Sequence, residues 1–258
     1  MEKSREEMHR IAKLLLRTAR MLLEHGAETR RVFETMESMG KRLGVEDLHI
    51  LVTHRSVMVT VGSETDAVTQ IIRVGTLGVN MTTVSAISRV YHGLPQAVVA
   101  PEVVERELDR ISAISPHYPR WMVLAFAGLS CGGFSQLFGG DWLALVAASA
   151  AASCGLFVRQ ELHKRSFQPL LCVFAAAFVS VVLSVFIGQV LATGTPAAAH
   201  AASVLYLVPG VPMINAVADL VKGHLLTGLA RAISILLIGF CVSLAVVLAI
   251  NLVGFNTY

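Results

Sequence analysis

Residues 197–220 read AAAHAASVLYLVPGVPMINAVADL, an apolar run long enough to cross a bilayer but interrupted near its middle by Pro209, Gly210 and Pro212. Proline lacks a backbone donor and its ring clashes with the preceding turn, so two prolines this close break a helix. At membrane depth each freed backbone group costs several kcal/mol unless protein or water satisfies it, and the break is expected to face a packed interior or a wet cavity. Asn215 lies one turn beyond the break and Asp219 one turn further, on one helical face; Lys222 and His224 follow, and His200 sits near the other end. Transporters place substrate sites at such discontinuous helices. Pro209, Gly210, Pro212, Asn215 and Asp219 are therefore candidate substrate-binding residues, with Asp219 or His200 a candidate proton carrier. A packing kink with a capping asparagine and an interfacial aspartate fits the same residues, although ionisable groups within a membrane favour function.

The surrounding sequence is of the same kind. Further apolar runs occupy 121–138, 142–158, 169–191 and 229–253, which together with 197–218 predict about five transmembrane helices at roughly 20 residues per span. The chain is 54% hydrophobic and only 15% charged, against about a quarter charged in ordinary soluble proteins. Of its charged residues only eight follow Trp121. Arg159, Lys164 and Arg165 fall between the second and third runs, and Lys222 with Arg231 between the fourth and fifth, whereas the alternate loops hold Asp141 and the uncharged 192–200. Positive loops stay inside, so the N-terminus is expected in the cytoplasm and the C-terminal NTY outside. Gly128 and Gly132 form a GxxxG pair suited to close helix packing, within the bundle or against a partner.

Residues 1–118 read differently, as a cytoplasmic α+β domain preceding a transmembrane helical domain over 119–258. The opening MEKSREEMHRIAKLLLRTAR carries acids and lacks the short apolar core of a signal peptide. Met8, Ile11, Leu15, Ala19 and Leu22 recur at helical spacing. Arg10, Lys13, Arg17 and Arg20 form a basic stripe for solvent or for anionic lipid. Gly26 is expected to end this helix and Gly44 a second one through AETRRVFETMESMGKRL, the two making a hairpin. The period then falls to two at Leu48, Ile50, Val52, at Val57, Val59, Val61 and over 68–74, predicting two or three antiparallel strands. Helices over 81–91, behind an Asn80 cap, and over 101–114, from Pro101, complete the domain.

Several function classes are excluded by pattern. Basic residues are mixed with acids, unlike a nucleic-acid footprint. Cys131, Cys154, Cys172 and Cys241 stand singly in apolar segments, with neither disulfide nor zinc spacing. His49 and His54, five apart on a strand, would point to opposite faces. No phosphate-binding glycine loop or nucleophile constellation is legible, so no cofactor, metal or enzyme activity is expected.

Two stretches carry a family signal: HGAETRRVFETM with the later LVTHRSVMVTV, and PGVPMINAVADLVKGHLLTGLARA. They resemble the threonine/serine exporter family, in particular its shorter YjjP-type members, and the resemblance runs over nearly the whole chain in the same order. It implies an α-helical polytopic protein of the bacterial inner membrane that exports small hydrophilic metabolites: threonine and serine, or dicarboxylates such as succinate. Long members of the family contain a second membrane module, and the resemblance to the split form implies a complementary small membrane subunit. The competing expectation is a membrane-anchored sensor or scaffold whose cytoplasmic domain binds a ligand; a plain anchor needs no broken helix.

Overall fold

The computed structural model describes residues 4–62, 66–95, 97–113 and 118–254; the NTY terminus and Ile114 fall outside them. The chain divides into two compact units, Met1–Ser115 with Gly210–Ile233, and Pro116–Pro209 with Ser234–Tyr258. The broken region is thus shared out: Pro209 ends a segment of the second unit, and Gly210 begins a segment of the first.

The first unit is built on α1 (Arg5–Glu24), α2 (Thr29–Arg42), β1 (Leu48–Val52), β2 (Ser56–Val61), β3 (Val68–Arg73), α3 (Met81–Gly93) and α4 (Pro101–Ser112). The sheet is small, antiparallel and ordered β1-β2-β3, with Ile50 opposite Val59 and Val57 opposite Ile72. Alternation along β2 turns Val57, Val59 and Val61 inward, where they pack with Ile11, Leu15 and Leu22 of α1 and with Met36, Met39 and Leu43 after them. Burying each such side chain contributes about 1.5–3 kcal/mol, so this interleaved core accounts for the cohesion of the unit. The helix ends follow their local chemistry. Gly26 and Gly44 adopt φ of +88° and +71° just past α1 and α2, a conformation that costs glycine alone nothing in steric strain. Asn80 caps α3 by accepting from the Thr83 amide, and Pro101 opens α4.

Three residues of the basic stripe of α1 meet carboxylates. Arg10 pairs with Glu102 and Glu105, and Arg17 with Asp109, all on α4, while Arg20 pairs with Glu24. His49 and His54 do not share one strand, because β1 ends at Val52 and a turn through Thr53 precedes β2.

The second unit holds α5 (Arg120–Leu137), α6 (Trp142–Lys164), α7 (Pro169–Leu191), α8 (Pro196–Ser203) and a 3₁₀ turn, Leu205–Leu207. Small side chains bring these helices close. A Cβ at Gly128 would lie 2.6 Å from the Ser149 carbonyl oxygen, and one at Gly132 2.9 Å from that of Leu145. The GxxxG pair therefore packs internally, against α6. Asp141 caps α6 through the Ala144 amide at 2.6 Å and accepts from the Thr193 hydroxyl and the Gly194 amide, tying down the loop before α8. These bonds, the Thr193 one first, hold its carboxyl below the usual carboxylate range. All four cysteines are free.

Five spans were expected; among the described residues three helices are long and apolar enough to cross a membrane, Trp142–Lys164, Pro169–Leu191 and Leu225–Val253. The broken pair Pro196–Leu207 and Gly210–Val221 makes a fourth if counted as one. The shortfall is α5, whose 18 residues are enough for a span but are not apolar enough. It also carries Arg120, Ser130, Ser135 and Gln136 among its apolar side chains.

Candidate functional site at the docked half-helix

The helical path stops after Leu207 and resumes as α9 (Gly210–Val221), leaving only Val208 and Pro209 outside helix. Gly210 and Pro212 fall in the first turn of α9, where a missing N–H removes no helical bond. The turn at Gly223, with φ +86°, then leads into α10 (Leu225–Gly254), whose first residues belong to the first unit.

What holds α9 in this unit is a ladder of polar contacts to the start of α2 and to the β1–β2 hairpin. Asn215 Nδ2 donates to the Gly26 carbonyl at 2.9 Å. Asp219 is fully buried, and its Oδ2 accepts from the Thr29 hydroxyl at 2.9 Å and meets the Arg231 guanidinium at 3.2 Å. Its Oδ1 takes the Thr29 amide at 3.3 Å. Glu28, the residue preceding α2, offers no side-chain cap, so Asp219 supplies the anion that the unpaired amides of a helix start favour. Lys222 pairs with Glu28, His224 stacks on Phe33 with ring centroids 5.2 Å apart, and the Thr227 hydroxyl donates to the Val52 carbonyl at 3.4 Å. Arg231 is only 8% exposed. A charge so buried is tolerable only when paired.

His54, in the β1–β2 turn, is close enough to feel Arg231. Burial, then the charges of Arg231 and Arg55, hold its imidazole below the ordinary value of 6.5. Among the described residues its buried Nδ1 has no hydrogen-bond partner.

Asn215 and Asp219 thus share one face, as their spacing predicts, and the structure covers that face with the start of α2. Asn215 also borders a concavity of about 490 Å³ whose rim includes Gly26, Glu28, Arg30, Arg31 and Lys222. It is lined largely by donors and charges, suited to a small polar molecule. His200 belongs to the second unit, where its Nδ1 lies 3.0 Å from the Ser184 hydroxyl. Thr29 was not singled out in the sequence, and Gly26 and Arg231 were read only as a helix end and a loop charge, although all three stand inside the two stretches that carry the family signal. Among the described residues no group of three His, Cys, Asp or Glu side chains is arranged to hold a metal.

Helices of bilayer length, joined to an α+β unit that grips a half-helix through buried charge, define a multi-pass membrane protein of the transporter class. Comparison with known sequences gives the family. The profile of the family described as "putative threonine/serine exporter" matches residues 13–253, and the chain belongs to that family. It is 32% identical to a Klebsiella aerogenes protein named "probable succinate transporter subunit YjjP", over 98% of both chains. It is 32% identical to the Escherichia coli protein of the same name, over 95% of this chain and 96% of that one. A Mycobacterium tuberculosis "probable threonine/serine exporter" is 25% identical over 88% of this chain, which spans 43% of that protein. No solved structure matches the chain at a significant level.

Proposed function

We propose that this chain is one subunit of a secondary exporter that moves small hydrophilic metabolites, threonine/serine-type amino acids or dicarboxylates such as succinate, out of the bacterial cytoplasm across the inner membrane. The reading keeps the first unit on the cytoplasmic side, following the loop charges. A second small membrane subunit completes the transporter; the word "subunit" in the names of the two relatives matched over nearly their whole length supports this. The observation that carries the reading is the polar concavity beside Asn215, at the start of a half-helix whose other polar groups are occupied in holding it. In this arrangement Asn215 and the first turn of α9 meet the substrate, Asp219 keeps α9 in place, and proton exchange, where it drives export, falls to Asp219 or His200.

The test is efflux of labelled serine, threonine and succinate from cells lacking their own exporters and expressing this chain with and without a candidate small membrane subunit from the same organism. Efflux of at least one substrate should require both chains and fall in Asn215→Ala at unchanged membrane abundance. Normal efflux in Asn215→Ala would remove Asn215 from the path, and no efflux of any of the three would overturn the substrate class.

A further inference from the structure

A second concavity, of about 690 Å³, opens between α2 and α3 and is lined by Arg31, Ser85, Ser88, Arg89, His92 and Gly93. Its chemistry is one-sided: two guanidiniums, two hydroxyls and an imidazole, with no carboxylate. Several other arginines of the unit are already engaged. Arg10, Arg17, Arg20, Arg30 and Arg231 each meet a carboxylate. Arg42 takes the carbonyls of Tyr91 and Leu94. Among the described residues Arg31 and Arg89 meet neither a carboxylate nor a carbonyl, and both border this hollow, Arg31 standing also at the rim of the concavity beside Asn215.

Two local explanations for these positions fail. Arg89 lies before the last turn of α3, and the carbonyls of Tyr91 and Leu94 at that end are taken by Arg42. Arg31 lies in the first turn of α2, the end at which the helix dipole disfavours a cation by about 0.3–1 kcal/mol. Both guanidiniums are exposed and border one hollow, which an anion can enter from solvent. Arginine forks suit carboxylate and phosphate oxygens in pairs, and serine hydroxyls at i and i+3 on α3 add donors on one face.

We propose that the α2–α3 hollow is a binding site for a small oxyanion, carboxylate or phosphate, held between Arg31 and Arg89 with Ser85 and Ser88 donating. The oxyanion comes either from a soluble metabolite or from the phosphate of a lipid headgroup. The inference does not depend on what the protein exports.

The test is hydrogen exchange of the full chain in phosphatidylcholine nanodiscs, following the amides of α3 from Ser85 to Gly93, which border this hollow and not the concavity beside Asn215. Inorganic phosphate and succinate are added separately, and a parallel sample carries phosphatidylglycerol in place of part of the phosphatidylcholine. Slower exchange, by threefold or more, on adding phosphate or succinate identifies a soluble oxyanion; slowing only with phosphatidylglycerol identifies the headgroup. In either case Arg31→Gln/Arg89→Gln should abolish the effect, and Arg31→Lys/Arg89→Lys should weaken the apparent affinity about tenfold. Arg73→Gln, an exposed and unpaired arginine on β3, should leave it unchanged. Absence of protection with all three probes, or protection that survives in the glutamine double variant, overturns the site.

Discussion

Asp219→Asn separates a structural latch from a substrate contact. Asp219 has no solvent exposure, and its one cationic partner, Arg231, is 8% exposed. The amide keeps the shape and its oxygen can still accept from the Thr29 hydroxyl, which lies 2.9 Å from Oδ2, but its NH2 then faces the Thr29 amide that Oδ1 accepts from, so the charge and one acceptor are lost together. Removing one member of a buried pair costs about 3–5 kcal/mol, because the remaining charge is left without compensation. Thr29→Val removes only a neutral donor and should cost about 1–3 kcal/mol. Arg231→Met should cost as much as Asp219→Asn, and Asp219→Asn/Arg231→Met should recover most of the loss, since apolar replacement of a whole buried pair is often neutral. The measurement is the unfolding midpoint of purified chain in detergent, with hydrogen exchange at the first turn of α2 as the local probe. Asp219→Asn should lower the midpoint and release the Thr29 amide. A single variant with wild-type midpoint and protection would show that the ion pair does not hold α9, and a double variant no better than the sum of the singles would show that the two charges are not coupled.

Three further outcomes follow from the same structure. Gly128→Ala forces a Cβ toward the Ser149 carbonyl, at 2.6 Å, and overpacking of this kind should destabilise by about 1–3 kcal/mol. Gly133→Ala, with nothing within 4 Å of its Cβ, is the control, and equal melting of the two would refute the close α5–α6 contact. His54 is held below its ordinary value of 6.5 by burial and by Arg231 and Arg55, so the unfolded chain binds the proton first on acidification. Its contribution is complete above the unfolded value and declines as pH falls from there toward the folded one; His54→Gln should flatten that part of the stability curve, and superimposable curves would count against it. Single cysteines at Gly140 or Thr195, with the native four replaced, should react with impermeant reagent from the periplasmic side while one at Ser166 does not, and the reverse labelling pattern would invert the proposed orientation.

The parts of this fold that were legible are those encoded within a few residues. Asn80 and Pro101 announce helix starts, Gly26 and Gly44 helix ends, and the two-residue period of Val57, Val59 and Val61 a strand with one buried face. The count of spans was less legible, because α5 is long enough to suggest crossing yet its apolar residues are interspersed with Arg120, Gln136, serines and glycines that lower its hydropathy. The face shared by Asn215 and Asp219 could be read from their spacing, but its occupant could not: Thr29 and Asp219 are 190 residues apart, and no local pattern links them. The available hint was chemical, an acid at Glu28 in one family-like stretch and a base at Lys222 in the other.

That distance also bears on why charge was used at all. An apolar contact between α9 and α2 would be as stable as the buried pair, but it would tolerate sliding by a turn, whereas Asp219 has one place where it can meet both the Thr29 donors and Arg231. The pair therefore fixes register more than it adds stability, and register is what sets Asn215 against the Gly26 carbonyl at the rim of the concavity. It follows that Asp219→Asn/Arg231→Met should regain its melting midpoint without regaining function: efflux should stay at least tenfold below wild type, and exchange at the amides of Gly26 and Ala27 should remain faster. Full recovery of efflux alongside stability would show that any tight packing of the half-helix suffices, and that Asp219 is dispensable for positioning the site.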